Sequence, residues 1–188
     1  MSQYLEITKS LSCIEVVGTE PISLADAKLY LRVDTDDDDT LITAMISAAR
    51  AAVEGKTHRV IRQSIWEWTT GEIIAYTQVP LTPCSNCTVQ VDGENVSPDL
   101  YTFTSGGIAA PLFASVVPSI DFPKGKTVFT LTCGYTNGEV PEDITRWMFM
   151  RLGDFYNQRE SFAVGNNFHE FDRSFVDALL DPYLIPSC

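Results

Sequence analysis

The sequence predicts an α+β protein in which a small helical unit, assembled from both ends of the chain, is interrupted by an antiparallel β-module. Three observations predict it. Apolar residues recur at helical spacing in two segments far apart in the chain, first within residues 23–54 and again within 141–158. Between them, from 64 to 135, the pattern changes to a period of two with frequent turn signals. The 188 residues are enough for one large domain or for a small domain carrying an insertion. The expected organisation is a discontinuous helical domain, residues 1–63 plus 136–188, around a β-rich insertion at 64–135.

The first helix is announced at "EPISLADAKLYLRV", near residues 23–32. Ser23 with Asp26 three residues later forms a capping pair, although Asp is shorter than the usual Glu or Gln. Leu24, Ala27, Tyr30 and Leu31 share one face. A second helix, near 37–54, places Leu41, Met45, Ala48, Ala49, Ala52 and Val53 at a 3.6-residue period. Its alanines permit close approach of another helix, and "EGK" at 54–56 supplies a glycine stop.

The β-module begins with "SIWEWTT", where Trp66 and Trp68 fall on one side. "CTVQVDGENV" sets an Asp-Gly turn between extended runs, and "KTVFTLTCGY" alternates Val128, Thr130 and Thr132 against Phe129, Leu131 and Cys133. Pro80, Pro83, Pro98, Pro111 and Pro118 punctuate the stretch. A third helix, near 141–158, opens with Pro141, Glu142 and Asp143 and carries the stripe Ile144, Met148, Leu152 and Phe155. The loop "SFAVGNNFHEFD" then precedes a short last helix near 173–181, terminated by Pro182.

Composition excludes several classes. A net charge of −12 leaves no basic surplus to displace counterions from nucleic acid. No apolar run reaches the roughly 20 residues needed to span a bilayer. The start lacks the basic, apolar and small-residue segments of a secretion signal, so a cytoplasmic site of synthesis and residence is expected. Cys13, Cys84, Cys87, Cys133 and Cys188 are an odd number and are expected as free thiols. "CSNC" lacks a second cysteine pair, and His58 and His169 are isolated, so a zinc ribbon is disfavoured against a buried or turn-forming pair.

"LRVDTDDDDT" sets five aspartates in a six-residue window. As a calcium loop starting at Asp34 it would need glycine at Asp39 and glutamate at Met45. Consecutive aspartates also point in different directions and do not converge on one ion. No phosphate loop, HExxH or GxSxG motif is present, and no enzyme, metal or cofactor is expected. The reading that needs nothing extra makes Asp34 or Asp36 the cap of the second helix, with the remaining carboxylates in its first turn, where the dipole favours them. Five like charges exceed what capping requires. The surplus is either solvated or belongs to a surface where negative potential is useful.

"EPISLADAKLYLRVDTDDDDTLITAMISAARAAVE", "VPEDITRWMFMRLGDFYNQRES" and "VDALLDPYL" together resemble the head–tail connector (adaptor, or head-completion) proteins of long-tailed bacteriophages, in the members with a β-insertion. The shared features are a Pro–Ile–Ser–Leu start, an "LRVD…DDD" junction, an Ala-rich helix, and a Pro-led helix ending in "FYNQRES". They cover about half of the chain. "GKTHR" departs from the pattern, since relatives often show an aromatic and a glycine there.

The resemblance implies a virion protein without catalysis. It would form a ring of about twelve copies below the portal, complete the DNA-filled head, and offer a platform to a stopper or tail-completion protein, with DNA passing through without specific binding. It implies assembly in the host cytoplasm and no membrane. Portal- or neighbour-contacting candidates are Arg159, Phe162, Phe168, Phe171, Tyr183, Leu184 and Ile185. Asp36, Asp37, Asp38 and Asp39 are candidates for the lumen or a subunit boundary. The alternatives are a tail-completion protein one position further down, or a metal-dependent binding module or hydrolase built on Asp34–Asp39.

Overall fold

The computed structural model describes residues 10–105, 113–157 and 176–185. Helix α1 spans Leu24–Leu31 and is capped by Ser23, whose Oγ accepts from the Asp26 amide at 3.1 Å and donates to the Asp26 carboxylate at 2.6 Å. The short Asp side chain takes the hydroxyl proton, where a Glu would reach back to the cap's own amide. Only Ala27 is fully buried on α1. Tyr30 turns outward instead and tilts over Phe149, with ring centroids 5.1 Å apart. Arg32 closes the helix in the left-handed region at φ 58°.

Helix α2 spans Asp39–Thr57, later at both ends than the sequence suggests. Its buried stripe is Ile42, Ile46, Ala49, Val53 and Thr57, turned about one residue from the expected face, with Leu41 and Ala48 on the exposed side. The expected glycine stop is wrong. Gly55 remains helical, and His58 takes the left-handed position at φ 55°, its N–H on the Glu54 carbonyl at 2.9 Å. Buried Thr57 extends the helix by donating to the Val53 carbonyl at 2.8 Å.

Helix α3 spans Glu142–Asn157, with Ile144, Trp147, Met148 and Leu152 buried. Residues 176–177 continue into a 3-10 turn over Ala178–Tyr183. Pro182 lies inside that turn, not beyond it; the turn's last bond runs from Leu184 N–H to the Asp181 carbonyl. Residues 173–175 of the expected last helix lie outside the described residues.

Among the described residues, eight strands make two antiparallel sheets. They are β1 (Ser10–Val16), β2 (Ser64–Thr70), β3 (Thr77–Gln78), β4 (Cys84–Val91), β5 (Glu94–Asn95), β6 (Tyr101–Thr104), β7 (Ser115–Pro118) and β8 (Thr127–Cys133). The larger sheet runs β1-β2-β8-β4-β5 and the smaller β3-β7-β6. β1 was not anticipated: it forms an edge pairing with β2, and all seven of its residues are exposed, so no alternation marks it. β8 alternates as expected, with Thr127, Phe129, Leu131 and Cys133 buried. Trp68 stacks on Phe129 with centroids 4.9 Å apart. Asp92 and Gly93 turn β4 into β5 with positive φ at both positions, as a two-residue hairpin requires.

Among the described residues two apolar cores result. The helical core gathers Ile42, Ile46, Val53, Ile144, Trp147, Met148, Leu152, Leu180 and Tyr183. The β core gathers Val79, Val89, Val116, Phe129 and Leu131 with Cys84, Cys87 and Cys133. They meet between neighbours in sequence: Val60 and Cys133 belong to the β core, Ile61 and Tyr135 to the helical one. Among the described residues no helix is long and apolar enough to cross a membrane.

Candidate functional site

Three of the five aspartates of the cluster are held by side chains of the other two helices. Lys28, on α1, reaches forward to the carboxylates of Asp36 at 2.6 Å and Asp39 at 2.7 Å. The Asp36 hydrogen bond, followed by that to Asp39, raises the Lys28 pKa, and Lys28 in turn lowers that of Asp36. Asp38 accepts from the Tyr156 hydroxyl of α3 at 2.7 Å. The junction therefore fastens three helices together.

Neither Asp34 nor Asp36 caps α2. The capping position belongs to Asp38, whose side chain makes no capping bond because Tyr156 draws it away; its carbonyl accepts from Ile42 N–H at 2.8 Å. Asp34 and Asp37 remain exposed. The signal for Lys28 was present in the sequence, since it is the one lysine in the first helical segment. Nothing local could have identified Tyr156.

The far end of α2 is an ion-pair network. Arg50 binds Glu20 at 2.9 Å and Glu54 at 2.7 Å, and Arg62 binds Glu20 at 3.3 Å and the Gly18 carbonyl at 2.8 Å. The other Glu54 oxygen accepts from Ile61 N–H at 2.9 Å. Here the "GKTHR" departure is resolved: His58 ends the helix, and Val60 enters the β core with its N–H on the Thr82 carbonyl at 2.9 Å.

Asp177 ties the C-terminal turn to this region. It accepts from Lys56 at 2.7 Å and from Trp147 Nε1 at 3.0 Å, and Arg151 lies 3.9 Å away. Partial burial pushes its pKa up, but the hydrogen bonds of Lys56 and Trp147 outweigh that and hold the carboxyl below its ordinary value. Arg59, 2% exposed, donates to the Tyr183 carbonyl at 2.8 Å, and its guanidinium lies 5.9 Å from that ring's centre.

Of the contact candidates, Arg159, Phe162, Phe168 and Phe171 lie outside the described residues. Tyr183 is buried in the helical core, Leu184 is exposed and Ile185 is intermediate. Cys84, Cys87 and Cys133 sit in the β core, with Cys84 facing Cys133 across β4 and β8. Burial pushes the Cys87 thiol up to about 12. Among the described residues no group of three or more His, Cys, Asp or Glu is placed to hold a metal ion.

The described residues thus form a helical unit cross-tied at both ends of α2 and a two-sheet module joined to it. Residues 21–100 match the family model of phage gp6-like head-tail connector proteins. No curated protein sequence matches the chain. Among solved structures, a chain of the native gene transfer agent virion aligns with a TM-score of 0.71 at 16% identity, covering 95% of this chain and 96% of its own. A chain from the neck of the empty gene transfer agent particle, computed with C6 symmetry, gives 0.71 at 18% identity over 95% and 97%. One from the native neck, computed with C12 symmetry, gives 0.63 at 16% over 95% and 97%. The α+β connector fold is shared along nearly the whole chain, and the resemblance to head–tail connectors carried by the sequence motifs is shown. The matching family is one of structural connectors, not of enzymes.

Proposed function

We propose that this chain completes the DNA-filled head of a phage or phage-like particle by forming a ring of about twelve copies below the portal. In this reading, neighbouring copies close the ring, the lower face receives a stopper or tail-completion protein, and DNA crosses the lumen. The observation that carries the reading is the coincidence of the connector family match at 21–100 with a fold shared over 95% of the chain with chains from the necks of gene transfer agent particles. The net charge of −12 supports free passage of DNA, because an acidic lumen does not retain phosphates.

Portal docking is assigned to Arg159, Phe162, Phe168, Phe171, Leu184 and Ile185, a guanidinium with aromatic and apolar groups suited to anchoring in a partner's pockets. Tyr183 is reserved for the helical core. Asp37 is the exposed member of the acidic candidates Asp36–Asp39 that has no hydrogen-bond partner among the described residues, and it is the one best suited to a lumen or a subunit boundary. Assembly takes place in the host cytoplasm and the product resides in the virion neck. Mixing the purified protein with portal rings from the same genome and imaging the product by electron microscopy tests the proposal. Added ring density below the portal is expected, and Phe168→Ala should abolish it while leaving the monomer folded. Portal rings that stay bare with the wild-type protein would refute the function; undiminished binding by Phe168→Ala would refute the docking assignment.

A further inference from the structure

Two of the cysteines in the β core stand directly opposite each other. Cys84 opens β4, Cys133 closes β8, and the two are partners in the antiparallel register. Beside them Gly134 N–H donates to the Pro83 carbonyl at 2.9 Å. That bond joins the residue after Cys133 to the residue before Cys84, which makes Cys84 and Cys133 a non-hydrogen-bonded pair, the closer of the two kinds in such a ladder. Partners of this kind have Cα atoms about 4.5 Å apart and side chains on one face, inside the span of about 4.4–6.8 Å that a disulfide bridges. Both side chains turn into the β core, 1% and 0% exposed. Cys87 faces Leu131 across the ladder and so has no thiol opposite it.

The two sulfurs are not equivalent. Cys133 donates its S–H to the Cys84 sulfur, which raises the pKa of Cys133 and lowers that of Cys84. Access differs as well. A cleft of about 170 Å³ between the start of β4 and the chain leaving β8 is lined by Pro83, Cys84, Ser85, Gly134, Tyr135 and Glu139. Cys84 therefore lies at a wall that opens to solvent, with Cys133 behind it. An activated, approachable sulfur backed by a second thiol is the arrangement that exchanges with disulfides.

Both residues are free thiols in the structure. We infer that Cys84 and Cys133 form a redox-modifiable pair, which a small disulfide such as oxidised glutathione converts into a cross-strand disulfide between β4 and β8. The Cys84 thiolate attacks one sulfur of the oxidant, forming a mixed disulfide and expelling one small thiolate. Cys133 gives up its proton and attacks the Cys84 sulfur; the bond to the second small thiol breaks and that thiol leaves. Two electrons pass from the cysteine pair to the oxidant, and the two cysteine protons end on the two small thiols released. The new bond closes the chain from 84 to 133 just before Tyr135, where the backbone crosses into the helical core, and so locks the β-module at its seat. A reducing cytoplasm keeps such a pair open, and an oxidising exterior closes it. The inference does not depend on the ring proposed above.

The test incubates the folded full chain with oxidised glutathione, denatures it in an alkylating reagent and maps every cysteine by mass spectrometry. Exposed Cys13 reports that the oxidant is active. A link between Cys84 and Cys133 is expected, with a melting temperature raised by about 5–10 °C and restored by dithiothreitol. Cys133→Ala should stop at a glutathione adduct on Cys84, with no rise in melting temperature. Wild-type Cys84 and Cys133 that remain alkylatable after Cys13 has reacted would overturn the inference, as would a link from either of them to Cys87. A linked protein that melts at the reduced protein's temperature would overturn the lock.

Discussion

Gly134 occupies the point where the two cores join, and replacing it with alanine offers the most direct test of how the β-module is seated. Its φ of 96° lies in the region that L-residues avoid, and a Cβ there would come 2.6 Å from the Arg62 carbonyl oxygen and 2.8 Å from Gln63 Cα. Those contacts are with backbone, so relief requires the strands to part. Parting them weakens Tyr135 N–H to the Ile61 carbonyl, 3.1 Å, and Gly134 N–H to the Pro83 carbonyl, 2.9 Å. The conformational cost is about 1–3 kcal/mol, and the two bonds add about 1 kcal/mol each, giving about 3–5 kcal/mol for Gly134→Ala. Gly138 is the internal control: its φ is 83°, but nothing lies within 4 Å of a built Cβ. Gly138→Ala should therefore show the conformational cost alone. Urea unfolding of both variants isolates the close approach as a difference of about 2 kcal/mol, or a melting-temperature gap of about 4–8 °C in a chain of this size. Equal destabilisation of the two variants would refute the idea that tight backbone contact seats the module.

Two further outcomes follow from the cross-ties. Tyr156→Phe removes the hydroxyl that holds Asp38 and should cost about 1.5–3 kcal/mol, the range for a hydrogen bond to a charged group; chemical denaturation measures it, and an unchanged midpoint would mean that α3 does not anchor the α1–α2 junction. Asp177 has a native pKa below the ordinary aspartate value of 3.8, so its stabilising effect is complete above that value and is lost as pH falls through the lowered native pKa. Asp177→Asn should accordingly reduce stability at neutral pH and flatten the acid limb below about pH 4; a pH series of thermal melts decides, and an acid limb as steep as wild type counts against the latch.

Much of the fold was legible because its signals are local. Ser23 with Asp26, the Asp92–Gly93 turn, the alternation of β8 and the Ile144–Met148–Leu152 stripe each act within a few residues, and each appears where the pattern put it. Failures arose where a tertiary partner overrode a local preference. Asp38 forgoes capping because Tyr156, 118 residues away, takes its carboxylate. The end of α2 passes Gly55 because Thr57 is buried, and a buried Thr satisfied by its own helix is cheaper to keep helical than to unwind. β1 escaped notice because an edge exposed on both faces has no apolar period to display. The ties of Tyr156 and Asp177 at the candidate site were hidden for the same reason: both gain meaning only from residues that folding brings to them.

The ion pairs around Glu20, Arg50, Glu54 and Arg62 bear on orientation more than on stability. Their side chains are 18–34% exposed, so solvent screens much of the Coulomb attraction, and the desolvation of Arg50 works against its own charge. What the network does uniquely is geometric. Glu20 lies on the chain entering α1, Glu54 on the last turns of α2, and Arg62 on the segment entering β2; Glu54 also receives the amide of Ile61, the residue at which the chain passes from one core to the other. A hydrophobic contact at this joint would tolerate sliding, because apolar packing has no preferred direction. Charge-assisted hydrogen bonds with fixed angles do not. If the proposed ring forms, such a joint serves it, since an error in angle at one copy is repeated at every copy and prevents closure.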